Sequence, residues 1–371
     1  MHPVMDSVAN PDRTSLGDTP DGETTARIAG VARGQSPVPL SVLDLAPVSV
    51  DTDATEALLT STELAKATER WGFHRYWVAE HHGMPGIASS SPAVLLAHLA
   101  AATGTLRLGS GGVMLPNHAP LVVAEQFGML EALHPGRFDL GLGRAPGTDQ
   151  GTARALRRTS GPPSAEEFPQ QLGELLGLLQ DELPIDHPHV DVHAVPRETQ
   201  PVVWLLGSSD YSARLAASLG LPFSFAHHFA SANTVPALGI YRDSFQPSNV
   251  LDRPYAMVGA QVIAADTHEQ ALHLARPIAL SMLRLRSGNP GKLPTPEEAA
   301  SQELTEREQA FIDNWLADAI YGTPETVREE LDALTERTAA DEIMITANIA
   351  DRKAKLRSYE LIAEAYRLPG T

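Results

Sequence analysis

Residues 107–147 read RLGSGGVMLPNHAPLVVAEQFGMLEALHPGRFDLGLGRAPG, a strand, a helix, a turn and a second strand in one run. Leu106 and Leu108 lead into Gly109-Ser110-Gly111-Gly112-Val113-Met114, a strand end stripped of side chains, where a flat ligand can approach the backbone. Leu121, Val122, Phe127, Leu130 and Leu133 recur at helical spacing from Ala119 to Leu133, and His134-Pro135-Gly136 stops that helix. Phe138, Leu140 and Leu142 then alternate as the next strand, with Arg144 just past its last glycine.

The same alternation extends in both directions. Strands are predicted at Leu40–Val48, Arg75–Ala79, Leu106–Met114, Phe138–Leu142, Val202–Leu206, Phe223–Ala226, Tyr255–Ala264 and Glu342–Thr346. Helices are predicted at Thr55–Trp71, Pro92–Thr103, Ala119–Leu133, Ala165–Leu183, Ser209–Leu219 and Arg352–Tyr366. Strand after strand followed by a helix favours an α/β fold of the (β/α)8 TIM barrel type, with an open doubly wound sheet as the alternative. The 371 residues fit one such domain, since these barrels run to roughly 250 residues and up to about 400 with insertions.

Residues 1–37 stand apart as an expected disordered tail, leaving 38–371 as the barrel. The tail carries Arg13, Arg27 and Arg33, but Asp6, Asp12, Asp18, Asp21 and Glu23 accompany them and there is no apolar core for a targeting peptide. Two insertions interrupt the repeat, 184–200 and 287–310; on a barrel such loops build pockets and lids, or are merely solvated excursions. Trp315, Leu316 and Ile320, at helical spacing, are expected in the core.

A net charge of −18 argues against nucleic acid and anionic membranes as partners, and no stretch approaches a membrane span. The absence of cysteine excludes disulfides, thiolate nucleophiles and Cys-bound metals, and fits a cytoplasmic protein.

The polar residues suited to chemistry follow strands, which on a barrel is the catalytic end. Glu80-His81-His82 closes the second strand: an imidazole exchanges protons near neutral pH and a neighbouring carboxylate can fix its tautomer, although such a run is also an ordinary polar strand end. Arg144 could grip a phosphate bidentately or bridge the barrel mouth as a salt bridge. Gly207-Ser208-Ser209-Asp210 opens a helix, where free N–H groups suit a phosphate and Ser or Asp also serves as a plain N-cap; barrels more often place phosphate after strands seven and eight. Fourteen histidines, with pairs at His187/His189 and His227/His228, raise a metal-dependent barrel hydrolase, but its His-x-His would follow the first strand, where Asp44-Leu45-Ala46-Pro47 stands. Gly109-Ser110-Gly111 lacks the glycine that a nucleophile elbow needs two residues before the serine.

Taken together, Trp71-Gly72-Phe73 through His82, Leu106 through Gly147, Pro201 through His228, Gly322-Thr323-Pro324-Glu325 and Asp341 to Ile345 resemble the bacterial luciferase-like flavin-dependent monooxygenases, in the branch that includes oxygenases of aromatic polyketide pathways. The resemblance implies a luciferase-like barrel with His81 as a catalytic histidine, His82 its neighbour and Glu80 beside them. It also implies FMN held by Arg144, Gly207, Ser208, Ser209 and Tyr211 at the phosphate, with His227 and His228 lining the pocket. Gly111-Gly112 falls where relatives carry a non-prolyl cis peptide against the flavin ring, a bond that glycines make less costly. A second phosphate arginine has no secure match, with Arg154, Arg157 and Arg158 nearby, and Gly111-Gly112 stands where aldehyde-using luciferases often have Ala-Ala, so light emission is not implied.

The implied reaction starts from reduced FMN, adds O2 as a C4a-peroxide and oxidises a small organic substrate, possible in secondary metabolism. Neither glycine run here matches a dinucleotide fingerprint, so an NAD(P)H:flavin reductase is the expected electron donor. Some members of the superfamily use F420 for hydride transfer instead, and others are non-catalytic flavin-binding barrels. Barrels of the family often form homodimers, but one sequence marks no dimer face.

Overall fold

The computed structural model describes residues 28–145, 147–157, 167–197 and 199–370. Nine strands run β1 Leu40–Asp44, β2 Arg75–Val78, β3 Arg107–Met114, β4 Phe138–Gly143, β5 Val202–Gly207, β6 Phe223–Ala226, β7 Ala256–Ala264, β8 Ile320–Gly322 and β9 Glu342–Thr346. Eight of them close a parallel barrel in the order β1-β2-β3-β4-β5-β6-β7-β9, with β9 returning to β1. The chain is thus a (β/α)8 barrel, and every barrel strand lies where the apolar runs predicted one.

Three details differ from the sequence expectation. β8 is an addition: three residues pair with the outer end of β7 alone. β1 ends at Asp44, because Ala46 takes a left-handed φ of 49° and the Asp44 carboxylate accepts its N–H at 3.1 Å, turning the chain before Pro47. The ordered barrel also begins earlier than residue 38. Ile28 is fully buried, its carbonyl accepts from Arg75 at 2.8 Å, Gly30 N–H reaches Tyr255 Oη at 3.1 Å, and Gln35 N–H reaches the Tyr366 carbonyl at 2.7 Å. Residues 1–27 of the expected tail lie outside the described residues.

The helices follow their signals. α1 (Ala54–Trp71) starts where Asp53 accepts the Glu56 N–H and stops at Gly72, whose φ of 85° a glycine adopts freely. α2 (Pro92–Ala102) and α3 (Pro120–Leu133) both take proline in the first turn. α4 (Gln150–Arg157), α5 (Phe168–Gln180), α6 (Asp210–Leu219), α7 (Thr234–Asp243), α8 (His268–Arg286), α9 (Pro296–Ser301), α10 (Glu306–Asp318), α11 (Pro324–Thr338) and α12 (Arg352–Ala365) complete the ring and its insertions.

Inside the barrel, alternation along each strand stacks side chains in layers. The N-terminal end is plugged by ions: Arg75 pairs with Asp139 and Glu342, each at 2.7 Å, Arg107 pairs with Asp139 at 2.5 Å, and Ser41 and Tyr255 both donate to Glu342. Two cations face two anions with nearly every lone pair used, which is what makes such burial tolerable. Above them lie Leu43, Trp77, Trp204, Met257 and Met344. The layer above that is rich in glycine, with Gly111 and Gly259 among its members, and among the described residues a cavity opens at the C-terminal end of the strands.

Of the insertions, 287–310 folds over this end: Leu293 exchanges backbone hydrogen bonds with Val48 and Val50, and Pro290, Gly291 and Leu293 form part of the cavity wall. The stretch 290–293 is a lid, whereas most of the segment beyond it, 296–310, is exposed. The 184–200 segment packs elsewhere, Thr199 donating to the Gly128 carbonyl.

Candidate active site

The cavity holds about 360 Å³ and is mostly apolar, within the range of small-molecule and cofactor sites. Its β3 wall is bare backbone. The Gly111–Gly112 peptide is cis, and the register with β4 shifts there, Gly111 opposite Gly141 and Val113 opposite Leu142. A Cβ on Gly111 would come within 2.7 Å of Leu43, one on Gly112 within 2.7 Å of the Gly141 carbonyl, and one on Gly143 within 2.9 Å of Met114. At Gly112, where the obstacle is backbone that cannot swing aside, glycine is required.

Arg144 lines the cavity at the end of β4, its guanidinium carbon 4.2 Å from the Tyr211 ring centroid. No carboxylate of the described residues pairs with it, so among them its donors are available to an anion. Ser208 and Ser209 line the cavity at the start of α6. Ser209 occupies the N-cap position but makes no side-chain capping bond, which leaves both hydroxyls and the first-turn N–H groups to a ligand. Tyr211 stands behind Arg144 rather than in the wall. Arg154 is described but does not line the cavity; Arg158 and the side chain of Arg157 lie outside the described residues.

His81 lines the cavity at the end of β2, its Nδ1 3.2 Å from the Gly147 carbonyl. A carbonyl only accepts, so Nδ1 carries the hydrogen and Nε2 is left with its lone pair. Burial pushes this imidazole below its ordinary pKa, keeping it neutral. His228 is built alike: Nδ1 donates to the Gly259 carbonyl at 2.8 Å, and burial lowers its pKa to about 4.

Glu80 and His82 were expected beside His81, and they stand behind it rather than in the wall. Glu80 is fully buried and its Oε1 receives His82 Nε2 and His118 Nε2, each at 2.8 Å, while Met114 N–H reaches Oε2 at 3.2 Å. Burial alone would raise the carboxyl, but the bonds from His118, His82 and Met114 outweigh it and hold Glu80 below the ordinary carboxylate range. Ligand atoms of Glu80, His82 and His118 lie within 4.8 Å of one another, close enough for a metal, though the imidazoles already use the carboxylate oxygen. The His187/His189 pair lies away from the cavity in the 184–200 segment. His227, expected in the pocket wall, turns from it and bonds Thr234 Oγ1 at 2.7 Å.

Several wall residues escaped the sequence reading. Trp315, expected in the core, lines the cavity under the lid, whereas Leu316 and Ile320 are buried as expected. Gln261, Ser281 and Asn348 supply polar groups on the β7 and β9 side. His118 was legible only in retrospect: loops after adjacent strands meet at one barrel end, which brings the β3 loop onto Glu80.

The luciferase-like monooxygenase family model matches residues 38–342, and the chain belongs to this family of oxidoreductases. It is 48% identical over 326 residues to the luciferase-like monooxygenase of Escherichia coli strain K12, spanning 87% of this chain and 96% of that one. It is 34% identical over 332 residues to the N-acetyl-S-alkylcysteine monooxygenase of Bacillus subtilis strain 168, spanning 88% and 97%. Among solved structures, apo-MsnO8 superposes with a TM-score of 0.82 at 34% identity, over 90% of this chain and all of that one. No helix among the described residues is long and apolar enough to cross a membrane.

Proposed function

We propose that this protein is the oxygenating half of a two-component, FMN-dependent monooxygenase: it takes reduced FMN from a separate NAD(P)H:flavin reductase and uses O2 to oxidise a small organic molecule. The observation that carries the reading is that one cavity is lined both by the side-chain-free Gly111–Gly112 floor and by Arg144, unpaired among the described residues, with Ser208 and Ser209. A flat ring fits the first and a terminal phosphate the second. When bound in reduced form, the flavin supplies the electrons with which O2 is activated.

The chain's own residues supply the rest. Arg144 would orient the phosphate through paired N–H donors and Tyr211 would hold the guanidinium plane. Leu43, Met114, Leu206 and the lid residue Leu293 exclude water from the reacting end. His81 Nε2 would accept a proton from the reacting substrate and return it, with Glu80 steadying the loop from behind. The lack of a dinucleotide fingerprint supports a separate reductase. The substrate of the Bacillus relative is a thioether, which places sulfur compounds in a first screen.

The test is an anaerobic titration with reduced FMN and, separately, reduced F420, followed by admission of oxygen with flavin absorbance followed by stopped flow. Tight FMN binding and an oxygen-dependent flavin transient are expected; preference for F420 without an oxygen-dependent step would replace the reading with hydride transfer. His81→Ala should slow turnover by about 10²-fold or more with FMN affinity unchanged, and unaltered turnover would remove His81 from the chemistry.

A further inference from the structure

We propose that Gln261 and Ser281 determine substrate specificity, by donating hydrogen bonds to an acceptor oxygen on an otherwise apolar, uncharged molecule. The inference rests on the flavin reading in one respect, that FMN occupies the β3 to β5 side of the cavity.

In the closed barrel β7 lies four strands from β3 in either direction, directly across the mouth from the Gly111–Gly112 floor. Gln261 projects inward from β7, in the same alternation that turns Met257 and Gly259 to the interior. It is 5% exposed. Its Oε1 is approached by Asn348 Nδ2 at 3.5 Å, while its Nε2 is buried without a hydrogen-bond partner. Ser281, on α8, lines the same end, and its Oγ is likewise buried and unpartnered. Buried polar atoms are almost always paired in folded proteins, so two donors without partners on one wall point to a group that arrives from outside the chain.

The surroundings define that group. Met282, Leu285, Leu293 and Trp315 make the neighbouring wall apolar. Among the described residues that line the cavity, Arg144 is the only arginine or lysine and there is no aspartate or glutamate, and Arg144 lies on the β4 side with the phosphate site. An anionic or cationic substrate would therefore lose its hydration at the β7 end with no opposite charge to replace it. A neutral acceptor loses little and can take up a hydrogen bond that this wall leaves unmade.

The experiment uses the full chain loaded with oxidised FMN, whose binding is first measured by quenching of flavin fluorescence. Calorimetry then compares three probes of one shape: acetophenone, α-methylstyrene, in which a methylene replaces the carbonyl oxygen, and benzoate. Acetophenone is expected to bind about 5- to 30-fold more tightly than either of the others, one to two hydrogen bonds' worth. Gln261→Leu should reduce the ratio to α-methylstyrene to about 1, and Ser281→Ala should reduce it in part, both with FMN affinity and α-methylstyrene affinity kept within about twofold. Equal affinities in the parent protein, no binding of acetophenone, a preference that survives both changes, or a Gln261→Leu protein that loses FMN instead would each overturn the proposal. Ser281 lies on a helix outside the barrel strands, so its variant carries the test if Gln261→Leu misfolds. A chain that refuses FMN yet keeps the probe preference would overturn the flavin reading and leave this one standing.

Discussion

His118 Nε2 lies 2.8 Å from Glu80 Oε1, across the gap between two neighbouring strand-end loops, on the same carboxylate oxygen that receives His82. Removing His118 strips a buried carboxylate of one of its donors. His118→Ala should cost about 1–3 kcal/mol at pH 7, read from urea unfolding. The sign of its pH dependence follows from Glu80. A carboxyl held below its ordinary pKa of 4.5 stabilises the fold above that pH, and the contribution is lost as pH falls through the folded value. Parent and variant should differ at pH 7, and the difference should shrink as the pH is taken below the ordinary carboxylate range. A gap that persists unchanged into acid would mean that His118 matters for packing alone.

Arg144 and Tyr211 make the phosphate prediction sharp, because the guanidinium has an aromatic support and, among the described residues, no competing carboxylate. Arg144→Ala should weaken FMN by about 10- to 100-fold and leave riboflavin, which lacks the phosphate, nearly unaffected. Arg144→Lys should recover part of the loss, keeping charge but not the bidentate fork. Equal losses for FMN and riboflavin would show that Arg144 shapes the pocket rather than reading phosphate.

Which of these features could be read in the chain depends on whether the signal is local. Barrel strands such as Val202–Gly207 are buried on both faces and appear as unbroken apolar runs, and a residue such as Arg144 or His81 declares itself by following one. β8 does not: Ile-Tyr-Gly has no periodicity, and only its pairing with β7 makes it a strand. Ile28 sits in a short stretch with no strand or helix period, and its burial depends on a barrel floor built from Arg75, Tyr255 and Glu342 far along the chain. Trp315 shows the limit of helical spacing, which says that a face is apolar without saying whether core or cavity lies opposite. His118 and Gln261 acquire meaning only from groups brought to them by closure of the barrel.

The β3–β4 seam should be intolerant of side chains at Gly112 and Gly141, where backbone faces the missing Cβ. A Cβ at Gly141 would sit 2.1 Å from the Ser110 carbonyl and 2.9 Å from Leu206, with backbone on one side that cannot give way without opening the pair. Gly141→Ala should cost about 2–4 kcal/mol, and Gly112→Ala, which meets the Gly141 carbonyl at 2.7 Å, should lower FMN affinity as the floor shifts. Gly239, in α7 with nothing within 4 Å, is the control: Gly239→Ala should be neutral or stabilise by roughly 0.5–1 kcal/mol. Denaturant midpoints for the three variants separate steric exclusion from a general dislike of substitution, and a stable Gly141→Ala protein would refute the seam argument.

His228 gives the fold its own acid sensitivity. Its Nδ1–H is committed to the Gly259 carbonyl, and burial holds the ring neutral down to about pH 4, whereas the same side chain in the unfolded protein takes up a proton near its ordinary 6.5. Between those values the unfolded state binds the proton and the folded state refuses it, so stability falls as the pH is lowered from 6.5 towards 4 and then levels. The full span corresponds to roughly 3–4 kcal/mol. His228→Asn can still donate to Gly259 but cannot titrate, so it should remove that part of the decline and unfold at nearly the same urea concentration as the parent at pH 7. Measuring the urea midpoint at pH 7 and pH 5 for both proteins decides the matter: equal declines in the two would assign the acid sensitivity to other groups, with His81, also held neutral by burial, the next to test.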